Sequence, residues 1–99
     1  MRDLKLFNVS TVAGQKITLE FAYRGTKFIV VNRSGGMIYV NMSDSVNETN
    51  GFPVADGEVY IMVENENIAQ FDSYSNVVSI LPMNTSNLGV TVQMVDYWR

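Results

Sequence analysis

Four carboxylates, Asp44, Glu48, Asp56 and Glu58, gather around one polar stretch of this 99-residue chain and are the first side chains whose chemistry needs weighing. Together they offer the hard oxygens that Ca2+ takes. The stretch lacks the alternating Asp/Asn spacing of a dedicated calcium loop, so the reading adopted is solvated turn residues, with no metal and no cofactor expected. Paired carboxylates also hydrolyse glycans when one of them is buried in a cleft with a raised pKa, and a chain of this length has little room for such a cleft. The chain has no His and no Cys. The commonest general base, the usual transition-metal ligands and the thiolate nucleophile are therefore missing, and no catalytic residue and no enzymatic activity are expected.

A second group of residues suits adhesion better than reaction. Five Tyr (Tyr23, Tyr39, Tyr60, Tyr74, Tyr97) and Trp98 combine a broad apolar face with a polar tip, as sugar-stacking platforms and protein interfaces both require. Tyr60 and Met62, opposite a face formed by Val59, Ile61 and Val63, mark an apolar sheet surface that a partner would cover. Tyr97 and Trp98 stand beyond the last clear alternation, where contact with another chain competes with folding back on the core. Phe52, before Pro53, reads first as a plug over one end of the fold and then as a contact. Asp44, Val46 and Glu48 fall in a polar stretch from Met42 to Gly51, long enough to suggest that it binds something.

The remaining composition narrows the partners. Lys+Arg total 7 against 10 Asp+Glu, a net charge of -3 with no basic stripe, so no nucleic-acid partner is expected. No apolar run approaches the roughly 18 residues of a membrane helix, and Met1-Arg2-Asp3 leads into no signal-peptide core. A soluble, unprocessed chain with no membrane contact is the expectation. Five Asn-x-Ser/Thr sequons, at Asn8, Asn32, Asn41, Asn47 and Asn84, are attributed to a chain rich in those residues.

These residues must be positioned by strands. Val, Ile, Thr and aromatics dominate the apolar segments, and no convincing helix is visible. Gln15 to Phe21 alternates with period two, placing Ile17, Leu19 and Phe21 on one face. Lys27 to Asn32 is apolar on both faces and suits a central or covered strand. Arg33-Ser34-Gly35-Gly36 signals a hairpin, with Met37 to Asn41 as the return strand. Phe52 to Gly57 is a short extended piece ending in an Asp-Gly turn, and Glu58 to Glu64 alternates again. Ile68 to Phe71 is a weak strand, Val77 to Leu81 runs up to Pro82, and the last strand begins at Gly89. Seven to eight short strands without a helix predict one domain over residues 1–99, an antiparallel β-sandwich of jelly-roll or Ig-like type.

The order Phe28-Ile29-Val30-Val31-Asn32, a turn, Ile38-Tyr39-Val40, a polar loop, Asn50-Gly51-Phe52-Pro53-Val54 and Gly57-Glu58 resembles a small β-sandwich of tailed-bacteriophage virion proteins. The likeness covers about Phe28 to Val63, with a looser fit to Val95. Asn41 stands where a Gly is more usual, and Glu64 to Leu88 carries more polar loop. The resemblance implies a non-enzymatic structural protein, made in the host cytoplasm and carried on the outer capsid surface or tail as a decoration, head-fibre or tail-joint component. It also implies contacts with other virion proteins and a homo-oligomer or many copies per particle. The alternative is a carbohydrate-binding module that recognises a host surface glycan through exposed Tyr and Trp.

Overall fold

A computed structural model describes residues 6–42, 46–63 and 75–98. The described residues form seven strands: β1 (Leu6–Thr11), β2 (Ile17–Asn32), β3 (Ile38–Asn41), β4 (Phe52–Val54), β5 (Val59–Val63), β6 (Ser75–Pro82) and β7 (Ser86–Trp98). Every pairing is antiparallel. The 16-residue β2 belongs to two sheets. Its first half pairs with β6, from Ile17 against Ile80 to Glu20 against Val77, and its second half lies between β5 and β7. Counting each half separately gives two sheets of four strands, β1-β7-β2-β5 and β2-β6-β3-β4. The fold is the expected β-sandwich.

Alternation fixes what lies between the layers. The first sheet contributes Phe28, Val30, Met62, Val90, Val92 and Met94, and the second contributes Leu19, Phe21, Ile38, Val40, Val54, Val78 and Ile80, all buried. Where β2 passes from one sheet to the other, Phe21 meets Phe7 edge-to-face at 4.9 Å and Phe28 at 5.2 Å. Such ring pairs add roughly 0.5–1.5 kcal/mol beyond their burial and fill the corner at which the strand turns.

Four expectations are corrected. The segments expected at Gln15–Phe21 and Lys27–Asn32 belong to one strand that begins at Ile17, because Ala22 to Thr26 continues the extended backbone from sheet to sheet. The Arg33–Gly36 turn makes no hairpin: β3 pairs with β4 and β6 and not with β2, so this turn carries the chain between the layers. The last strand begins at Ser86, three residues before Gly89. Tyr60 and Met62 face inward, with Met62 in the core and Tyr60 packed against it, while Val59 and Ile61 are 60% and 50% exposed. The weak strand expected at Ile68–Phe71 lies outside the described residues.

Candidate functional site

The outer face of the first sheet is built in rows by its register. Leu6, Gln93, Ile29 and Ile61 form one row, and Asn8, Thr91, Val31 and Val59 the next. Toward β1 the face is polar, with the Thr91 hydroxyl donating to the Asn8 amide oxygen. Toward β5 it is aliphatic: Ile29 and Val31 are half-buried, and Val59 and Ile61 stand exposed at the sheet's margin. The exposed aliphatic stripe is therefore on the face opposite to Tyr60 and Met62. Both faces of this strand carry large apolar residues, so its alternation gives the period without saying which side is inside.

The sheet margins differ in how they discourage further pairing. On β1 the ladder shifts between Val9 and Thr11, and β4 carries Pro53, which has no amide hydrogen to give. By contrast, β5 runs Val-Tyr-Ile-Met-Val through five consecutive pairs with β2, without a shift, a charge or a proline. Among the described residues nothing pairs with its other side.

A groove of about 220 Å3 opens where β4 and β5 diverge, lined by Val40, Asn41, Met42, Asn50, Phe52, Tyr60 and Met62. Phe52 faces the interior at its margin, is 49% exposed, and lies flat on Tyr60 with ring centroids 4.1 Å apart and planes 11° from parallel. Burial pushes the Tyr60 hydroxyl above its ordinary pKa of 10.0. Asn41 Nδ2 donates to the Asn50 carbonyl at 3.2 Å, which ties the polar loop to β3.

The described part of that loop, residues 46–51, is held by its own side chains. Asn47 Oδ1 accepts from the amides of Thr49 (2.7 Å) and Asn50 (2.8 Å), and Asn50 Oδ1 accepts from the Asn47 amide (2.8 Å). A Cβ on Gly51 would come within 2.8 Å of both Tyr39 Cβ and Val46 Cγ2, so only glycine lets the loop close this tightly. Val46, expected as a contact, is buried here. Glu48 is exposed, and Asp44 lies outside the described residues.

At the opposite end Asn32 is fully buried and ties the β2–β3 turn to the end of β4. Its amide donates to the carbonyls of Gly36 (2.8 Å) and Val54 (2.9 Å), and its oxygen accepts from the Ser34 amide (2.9 Å) and hydroxyl (2.7 Å). Asp56 accepts from the Gly35 amide at 2.8 Å and Glu58 from the Ala55 amide at 3.3 Å, so both carboxylates serve turns. No cluster of three or more potential metal ligands occurs among the described residues. Sequence reasoning missed Asn32, whose signal was an Asn ending an apolar strand before a glycine pair. Tyr97 and Trp98 belong to β7, paired with Gly25 and Arg24, and their side chains lie outside the described residues.

No family model, curated protein or solved structure matches the chain. Among the described residues no helix is long and apolar enough to cross a membrane.

Proposed function

We propose that this chain is a non-enzymatic structural protein of a tailed-bacteriophage virion, a capsid decoration, head-fibre or tail-joint component that acts by multivalent protein–protein contacts. The observation that carries this reading is the aliphatic stripe Ile29, Val31, Val59 and Ile61 on an outer sheet face, ending at a strand margin that carries no charge. Water-exposed aliphatic rows are costly unless a partner covers them. Repetition on a symmetric particle multiplies a small contact into firm attachment, so each copy needs only modest burial. The resemblance of Phe28 to Val63 to virion sandwiches supports the same reading. Purifying intact particles from cells that express the chain is the test. The protein is expected to travel with them at a fixed stoichiometry, and its absence from washed particles overturns the proposal.

The Phe52–Tyr60 stack favours a second reading, recognition of a surface glycan. An exposed aromatic face beside the amide-bearing Asn41 and Asn50 offers the apolar and hydrogen-bonding contacts that a sugar ring uses. A glycan panel separates the readings: specific binding that Phe52→Ala abolishes supports the second, and no binding at micromolar protein removes it.

A further inference from the structure

We infer that β5 pairs with β5 of a second copy of this chain, antiparallel about a two-fold axis at Ile61, joining two four-stranded outer sheets into one of eight. The inference rests on the structural-protein reading above and names the partner of that face.

The direction of the backbone groups decides the geometry. At the start of the ladder the Asn32 amide donates to the Glu58 carbonyl at 3.0 Å, and the Gly57 amide donates to the Asn32 carbonyl at 2.8 Å. Hydrogen-bonded and non-bonded pairs alternate along an antiparallel ladder, so Val30–Tyr60 and Phe28–Met62 are the next bonded pairs. The amides and carbonyls of Val59, Ile61 and Val63 consequently point away from β2, toward the margin that no strand among the described residues covers. A two-fold axis at Ile61 sets Ile61 against Ile61 of the second copy and Val59 against Val63 of the second copy. All of these then form bonded pairs, with donors and acceptors matched on both sides.

The side chains agree with that register. On the outer face the row Ile29–Ile61 continues into Ile61–Ile29 of the second copy, a run of aliphatic cross-strand contacts. On the inner face Tyr60 comes opposite Met62 of the second copy. No residue from Val59 to Val63 is charged, and none of the other three margins offers an equivalent: β1 is interrupted by its register shift, β4 by Pro53, and the first half of β2 carries Glu20. A five-residue margin is small beside the roughly 1,600 Å2 of a standard interface, so the dimer forms and dissociates with concentration. Each chain carries a net charge of -3, with Glu58 and Glu64 bracketing the strand in sequence, so added salt strengthens association by screening repulsion.

Sedimentation equilibrium of the full chain over a concentration series tests this. The weight-average mass is expected to rise from one chain toward two. Ile61→Lys, at a half-exposed position that tolerates charge in the monomer, is expected to raise the dissociation constant at least about tenfold, or about 1.4 kcal/mol, with unchanged circular dichroism. Leu6→Lys, at the other margin of the same face, leaves the mass unchanged. Because the chain has no Cys, Ile61→Cys gives a direct reading: bonded antiparallel pairs bring Cα atoms to about 5.5 Å, within disulfide range, so oxidation crosslinks it whereas Leu6→Cys stays monomeric. A wild-type chain that stays monomeric to several hundred micromolar overturns the pairing, as does association that Ile61→Lys leaves intact or crosslinking no better at position 61 than at position 6. A monomer that still travels with particles overturns self-pairing and leaves the structural role standing; a dimer absent from particles does the reverse.

Discussion

Gly89 leaves no space for a side chain. Its φ is +59°, and a Cβ would stand 1.8 Å from the Val9 carbonyl oxygen, in the backbone of β1. Gly89→Ala is expected to cost at least about 3 kcal/mol, seen as a large fall in thermal midpoint, because β1 must leave β7 to admit the methyl group. Asn32→Ala strips donors from the Gly36 and Val54 carbonyls and the acceptor from Ser34, and a loss of about 2–4 kcal/mol in urea unfolding is expected. Ser79 behaves in the opposite way. Its hydroxyl is buried and makes no hydrogen bond, so Ser79→Ala is expected to leave stability unchanged or raise it by about 1 kcal/mol. A loss of more than 1 kcal/mol at Ser79 would show that its oxygen has a partner in solution.

Among the elements, β5 shows where a pattern stops being informative. The alternation Val59, Ile61, Val63 against Tyr60, Met62 was legible, and so was the strand, but the choice of face depended on what lay opposite. Phe52 on β4 stacks on Tyr60, and this contact between two elements turns the larger residues inward. Strand β2 was legible as two pieces for a similar reason: nothing local to Ala22–Thr26 announces that an extended chain bridges two sheets. The Tyr60 environment has a measurable consequence. Its phenol is held neutral by burial, so its pKa in the fold exceeds that in the unfolded chain. Stability is therefore intact below pH 10 and is lost as pH climbs through the raised value, since the unfolded chain releases that proton first. Tyr60→Phe is expected to flatten this alkaline decline in a series of melts between pH 9 and 11, and an unchanged slope would assign the decline to other groups.

For the molecule as a whole, the sandwich class followed from strand-rich composition and the absence of a helical period, whereas the order of strands did not. Pairing of β1 with β7, and of one strand with members of both layers, is set by which apolar faces can be buried together. No local residue choice encodes it. The hub at Asn32 illustrates the limit, since its partners at Gly36 and Val54 are assembled only once β4 has reached the same end as the β2–β3 turn. The same long-range pairing also governs how the chain is made. Ribosomes add about 5–20 residues per second, so several seconds pass between emergence of β2 and of its neighbour β7. Throughout that interval the Phe28–Val31 segment has no completed sheet to enter. Nascent chains are thus expected to present a chaperone-binding segment until β7 clears the exit tunnel, and release at ribosomes stalled before Ser86 should yield aggregates instead of a folded intermediate.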